Sequence, residues 1–326
     1  MSKGDLGDPA FVSPLEFGLY ICSLVYEMAV KSRLHLYNKG VLRQKRLPCK
    51  VVSVGNLTVG GTGKTPVVEY IAHFLKGLGI NVAVISRGYG GHAERSGGIV
   101  SDGKTMLMQV KASGDEPQLL ASKLKGIPVL VGKNRYLAGQ QAVTRFGSSV
   151  LILDDGFQHL PLKRDVNLLL LDSARPFGNG HCTPKGPLRE PIEQVKRASA
   201  FVLTRWPGGN SSVGVDPMIE TRAGRRPIFR CVHAPSGLFS AYPRESLDLR
   251  VLRRKKVFLF SGIARNDSFR EAIDKLEGCV VGWLAFPDHH RYSDKDLKAV
   301  WTRAKDLHAD SIVTTEKDFV NIDTEI

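Results

Sequence analysis

The residues best equipped for chemistry lie in one stretch, Gly60-Gly61-Thr62-Gly63-Lys64-Thr65. Glycines in a turn leave backbone N–H groups free to cradle anionic oxygens. A lysine adds a mobile positive charge, and a threonine hydroxyl can ligate Mg²⁺. The chemistry indicated is the binding and transfer of phosphate. Gly60, Gly61, Thr62, Gly63, Lys64 and Thr65 are therefore the expected nucleotide-binding residues, with Thr65 also a metal ligand. The usual consensus has glycine where this chain has Thr58, so the pattern departs at its first position.

Further along, the apolar run Val150-Leu151-Ile152-Leu153 ends in Asp154-Asp155. Carboxylates at the end of a buried strand, in a chain with a phosphate loop, suit Mg²⁺. Asp154 and Asp155 are both candidates, and the spacing does not choose between them. Asp115 and Glu116 precede a helical run, where either acid could do chemistry or cap the helix. Arg189 lies in Lys185-Gly186-Pro187-Leu188-Arg189-Glu190-Pro191; it fits a phosphate clamp or a solvated loop position. His159 is either functional or structural. The pair His289-His290 could move protons or bind metal, although no third ligand is evident nearby.

Secondary-structure periodicity says what must position these groups. Val51 to Val54 predicts a buried strand leading into the glycine turn. After it, Val67, Ile71, Phe74/Leu75 and Leu78 mark one face of a helix closed by Gly77 or Gly79. Further strands are predicted at 81–85, 128–131, 150–153, 167–172 and 200–204. Near-continuous apolar strands separated by helices indicate a parallel sheet, with ligands at the strand C-termini. Residues 206–226 are rich in Pro, Gly, Ser and Arg and predict loop or linker. A second alternation follows, with strands at 256–261, 280–284 and 311–314. It includes a helix at 268–276 and another beginning near Ser293.

A formal charge of +14 implies an anionic partner. The five cysteines are scattered without a C-x-x-C pair, which argues against a disulfide framework and suits a reducing cytoplasm. Nothing at the N-terminus resembles a secretory signal. Residues 15–37 predict a largely apolar helix with a polar stripe at Glu16, Ser23, Glu27 and Lys31. Its uncharged run, 17–26, is too short to span a bilayer, which needs about 20 residues. A basic stretch follows it, so the segment fits an anchor on an anionic membrane surface or a helix packed on its own domain.

Several motifs together resemble the tetraacyldisaccharide 4'-kinases, the lipid A 4'-kinases. They are Gly55-Asn56 through Pro66, Ser86-Arg87-Gly88-Tyr89-Gly90, Gly114-Asp115-Glu116-Pro117, Asp154-Asp155-Gly156-Phe157-Gln158-His159, Gly186-Pro187-Leu188-Arg189-Glu190, Phe286-Pro287-Asp288-His289 and Thr314-Thr315-Glu316-Lys317-Asp318. They occur in family order, and a non-glycine at position 58 is usual there. Members of that family commonly continue further past the last motif than this chain does. The resemblance implies transfer of the γ-phosphoryl of ATP, with Mg²⁺, to the 4'-hydroxyl of a tetraacylated disaccharide 1-phosphate. It implies peripheral attachment to the cytoplasmic face of the bacterial inner membrane. It assigns Asp115 as base, His289 as the residue that holds and tunes it, and Arg189 as completing the site. Glu116, His159 and Glu190 are then expected on the substrate side.

The resulting expectation is an α/β protein with a phosphate-loop core on a parallel sheet, a second, smaller α/β domain and an N-terminal amphipathic helix. The boundaries expected are 1–40 for that helix, 41–210 for the core, 211–250 for a linker and 251–326 for the second lobe. A phosphate-loop kinase or ligase acting on a soluble metabolite is one rival. A basic nucleic-acid-binding NTPase is another, but aromatics are only 8% and no nucleic-acid module appears, so no such partner is expected.

Overall fold

The computed structural model describes residues 13–208, 214–263, 266–288 and 290–322. The apolar runs become strands: β1 (Lys50–Asn56), β2 (Val82–Ser86), β3 (Gly98–Ser101), β4 (Val129–Val131), β5 (Val150–Asp154), β6 (Val166–Asp172), β7 (Ala200–Thr204) and β8 (Ile228–Arg230). They form one sheet in the order β3-β4-β2-β5-β1-β6-β7-β8. The pairs β2–β4, β2–β5, β6–β7 and β7–β8 run parallel, and β3–β4 is antiparallel. Parallel neighbours require crossover connections. Between the strands lie α2 (Lys64–Gly77), α3 (Ala93–Ser96), α4 (Val110–Ser113), α5 (Asp115–Lys123) and α6 (Arg135–Phe146). The α/β class with a mainly parallel sheet is the one the alternation predicts.

Ahead of the sheet, α1 (Pro14–Asn38) begins with the Ser13 hydroxyl accepting from the Glu16 N–H and with Pro14 in its first turn. Proline fits there because its missing N–H is not needed. Beyond β7 the turn-rich composition of 206–226 predicts loop, yet part of it folds as α7 (Pro217–Ala223). Asp216 caps it by accepting from the Met218 N–H at 2.7 Å. Ile219 and Ala223, one turn apart, are buried. A cap and two apolar contacts outweigh a composition that favours turns.

The chain next forms a short ribbon of β9 (Leu238–Phe239) and β10 (Ser246–Leu247). It continues through β11 (Lys256–Ser261), α8 (Asn266–Lys275), β12 (Cys279–Ala285), α9 (Asp294–Asp306), β13 (Ser311–Val313) and α10 (Glu316–Phe319). Strands β12, β11 and β13 make a parallel three-stranded sheet with β11 central. Phe258 and Phe260 of β11 pack with Val300 and Ala304, whereas Val257 and Leu259 pack with Leu252 and Ile273. Successive residues thus serve opposite faces, as the strand period of two requires.

By contacts the chain divides into two compact units. The first comprises Met1–Arg46, Ser53–Thr62 and Asp155–Cys231. Its core includes Leu57, Phe157, Leu169, Leu171, Phe201 and Leu203. The second comprises Leu47–Val52, Gly63–Asp154 and Val232–Ile326. No helix among the described residues is long and apolar enough to cross a membrane.

Candidate active site

The glycine turn after β1 delivers Lys64 and Thr65 into the first turn of α2. Gly63 is the N-cap in the left-handed region, at φ 77°, and Gly60 is also at positive φ. Glycine adopts these values without the Cβ penalty other residues meet. No side chain caps α2, and its first turn carries no acidic residue. The N-terminal N–H groups of this 14-residue helix therefore present positive potential that no side chain of its own first turn offsets. Thr62 is buried in the same turn, and its hydroxyl has no hydrogen-bond partner among the described residues. A helix start with those features suits phosphate.

Asp154 closes β5 and is 2% exposed. Its Oδ2 accepts a hydrogen bond from the Ser86 hydroxyl at 3.1 Å, and Ser86 closes the neighbouring β2. Asp155 follows at φ 51°, an uncommon value for a non-glycine residue. Its Oδ2 accepts from Arg189 Nη1 at 2.7 Å. Among the described residues no group of three or more His, Cys, Asp or Glu could hold a metal by itself. Mg²⁺ typically takes one or two carboxylates plus substrate phosphates. Asp154, Asp155 and the Thr65 hydroxyl are hard oxygen donors of the right kind, so the residues present fit that ion.

Asp115 is the first residue of α5 and is buried; Glu116 beside it is half-buried. The turn Ser86-Arg87-Gly88-Tyr89-Gly90-Gly91 presses on the segment just before it. A Cβ on Gly91 would lie 2.4 Å from the Ala112 carbonyl oxygen and 2.7 Å from the Gly114 nitrogen. Such an approach admits only glycine at position 91, just past the Ser86–Gly90 motif, and it fixes the backbone that leads into Asp115.

The turn after Asp155 is held from inside. Arg164 Nη1 donates to the carbonyls of Gly156, Phe157 and His159 at 3.3, 3.3 and 3.0 Å. Burial pushes the Arg164 guanidinium down to about 10, with the Arg197 charge acting in the same direction. Gln158 Nε2 donates to the Asn56 carbonyl at 2.9 Å. Glu190 is only 3% exposed and pairs with Arg197, which also lies over the Phe157 ring at 4.4 Å. Burial pushes the Glu190 carboxyl up, and Arg197 and Arg164 pull it back. Glu190 and His159 thus sit in a packed scaffold around the acidic turn.

Arg189 itself is fixed through its backbone. Its N–H donates to Leu57 O at 2.7 Å, and Val59 N–H donates to Pro187 O at 2.7 Å. The loop is thereby tied to the chain that enters the glycine turn. From α1, the Tyr26 hydroxyl donates to Arg189 O at 2.9 Å. His289 lies outside the described residues. Its neighbour His290 contacts Asp296 at 3.2 Å and stacks on Phe286, with ring centroids 4.7 Å apart.

A family model described as tetraacyldisaccharide-1-P 4'-kinase matches residues 15–325. The chain belongs to that family. A tetraacyldisaccharide 4'-kinase of Syntrophus aciditrophicus is 44% identical over 318 residues, covering 95% of this chain and 85% of that relative. One from Desulfatibacillum aliphaticivorans is 43% identical, covering 93% and 83%. Among solved structures, a crystal structure of "apo" form LpxK from Aquifex aeolicus in complex with ATP is similar at 33% identity. Its TM-score is 0.77, and the match covers 95% of this chain and 91% of that one.

Within this family member, several supporting residues lie outside the motif positions picked as functional. Ser86 lies inside a motif, yet its link to Asp154, 68 positions away, carries no sign in the sequence. Arg164 and Arg197 had no signal. Neither had Arg205, whose guanidinium bonds Asp172 Oδ2 at 2.6 Å and the Gly61 carbonyl at 2.5 Å. It braces the glycine turn from the end of β7.

Proposed function

We propose that this chain transfers the γ-phosphoryl group of ATP to the 4'-hydroxyl of a tetraacyldisaccharide 1-phosphate, a step of lipid A biosynthesis. The carrying observation is the family match over nearly the whole chain, with the uncapped start of α2 placed where a phosphate loop needs it. In this reading the N–H groups of Gly60 to Lys64 bind the phosphates, and the Lys64 ammonium follows the charge that builds on the transferred group. Thr65, Asp154 and Asp155 would hold Mg²⁺, which supplies further neutralisation of phosphate charge when bound. Asp115 takes the proton from the 4'-hydroxyl, a weak nucleophile that needs a base. His289 orients and tunes Asp115. Arg189, half-exposed and already beside Asp155, offsets charge in the transition state. Glu116 and His159 would serve the acceptor, and Glu190, sealed against Arg197, would contribute by fixing that arginine.

The membrane enters through α1. That helix packs on its own unit through Ser23, Tyr26 and Leu34, and it exposes Leu15, Phe17, Ile21, Leu24, Val25 and Met28. An apolar face beside a strongly basic chain suits peripheral binding to an anionic leaflet, the cytoplasmic face of the inner membrane. Replacing exposed Val25 and Met28 by Asp should release the protein from anionic vesicles without unfolding it.

ATP turnover with and without the tetraacyldisaccharide acceptor tests the reading. Turnover should depend on the acceptor. Acceptor-independent hydrolysis, or transfer only to soluble hydroxyl metabolites, would overturn it.

A further inference from the structure

The helix α1 does more than present an apolar face. On its inner side, two hydroxyl groups reach the loop that carries Arg189. The buried Ser23 hydroxyl donates to the Cys182 carbonyl at 2.7 Å, and the Tyr26 hydroxyl donates to the Arg189 carbonyl at 2.9 Å. A third contact places Lys185 Nζ over the Tyr20 ring, 4.5 Å from its centroid. The two hydroxyls therefore grip the loop near both of its ends.

Between those grips the loop is closed on itself. Leu188 N–H donates to His181 O at 3.1 Å, and Thr183 N–H donates to Leu188 O at 2.9 Å. A closed loop moves as a piece, so what holds its ends also orients the Arg189 side chain. That side chain makes the 2.7 Å contact with Asp155. Burial pushes the Tyr26 phenol above its ordinary value, so it keeps its proton and serves as donor.

We infer that Tyr26 and Ser23 are positioning residues for Arg189, so that α1 acts as a strut setting the arginine beside Asp155. This rests on the kinase reading only in giving Arg189 a role in phosphoryl transfer. The sequence carries no sign of it, because Ser23 and Tyr26 are separated from their partners by 159 and 163 positions. A packing helix needs only apolar contact. Here the polar groups that could have faced water are spent on two loop carbonyls. A buried hydroxyl is retained at a helix surface when it satisfies a specific acceptor.

The test uses full-length Tyr26→Phe, Ser23→Ala and the double variant. Each removes a hydroxyl and little else, and Ser23→Ala remains informative if the aromatic change perturbs folding. Each single change should lower kcat about fivefold, the effect of one net hydrogen bond, with the KM for ATP within about twofold of wild type. Amide hydrogen exchange across residues 181–190 should quicken in both, while α2 keeps wild-type protection. A merely structural role would quicken exchange generally and lower the melting temperature without splitting kcat from KM. With an active wild type, wild-type kcat in the double variant overturns the inference. If wild type transfers nothing to the lipid acceptor, the kinase reading fails and exchange alone decides: faster exchange at 181–190 supports the strut, and unchanged exchange overturns it.

Discussion

Arg189 and Arg197 are eight residues apart in sequence, and each holds a carboxylate in the same unit. The Arg189–Asp155 pair is half-open, with side chains 27% and 31% exposed. The Arg197–Glu190 pair is closed, at 16% and 3%. Water can reach the first pair, so giving up the partner costs little. The second is sealed and cannot exchange partners without leaving a charge in the interior. Chemically similar pairs thus divide into an open pair, here proposed as the working contact, and a sealed scaffold, and exposure, not residue type, makes the division.

The largest expected effect comes from the group proposed to do the chemistry. Asp115→Ala should lower kcat by about 10²–10⁴, the usual range for a general base, and leave the melting temperature near wild type. His289→Ala should do the same, and the double variant should be little worse than the poorer single, since residues acting as a unit are non-additive. Losses that multiply in steady-state kinetics would give the two residues separate roles. A larger loss in His290→Ala than in His289→Ala would show that the wrong ring had been chosen, because His290 already serves the start of α9.

Arg197→Ala breaks the scaffold pair and should cost about 3–5 kcal/mol of stability, because Glu190 is left charged and buried. Urea unfolding measures this. A change under about 1 kcal/mol would place the pair in the working class after all. Arg189→Ala is the converse: stability should change by less than about 1 kcal/mol, while kcat falls about 10²–10³ as one transition-state contact is lost. Equal stability losses for the two arginines would dissolve the comparison.

The smallest effect lies at the start of α9, where Ser293 and Asp296 form a reciprocal cap. Ser293→Ala should cost about 1 kcal/mol. The Ser293 hydroxyl and N–H hold the Asp296 carboxyl down to about 2, below the ordinary 3.8. A carboxyl depressed in the fold stabilises it fully above its unfolded value. Its contribution should therefore be whole above about pH 4 and fade as pH falls toward about 2. Acid unfolding of wild type and Ser293→Ala should converge in that window.

The sequence shows the working contact more readily than the scaffold. Lys64, Thr65, Asp154 and Asp155 fall in short motifs whose residue types and spacing point to phosphate and Mg²⁺, and Arg189 falls in one that the family resemblance marks. The main parallel strands and the Ser293 cap were legible for a related reason, since apolar runs and capping residues act locally. Arg164 and Arg197 were not, because an isolated arginine gives no sign of the carbonyls or ring it will meet. The link between Ser86 and Asp154 spans 68 positions and exists only once β2 and β5 pair. Strand β8, three residues at a sheet edge, and α7, inside a turn-rich stretch, depend on tertiary contact rather than pattern.

The central claim is that the phosphate loop opening α2 serves transfer to a lipid disaccharide. Mass spectrometry of the disaccharide after incubation with ATP, Mg²⁺ and wild type or Lys64→Ala protein tests it most directly. Wild type should add one phosphoryl group at the 4' position, and Lys64→Ala should add almost none while keeping its fold. Consumption of ATP without phosphorylated disaccharide, or a Lys64→Ala rate within about tenfold of wild type, a loss of only about 1.4 kcal/mol, would contradict it.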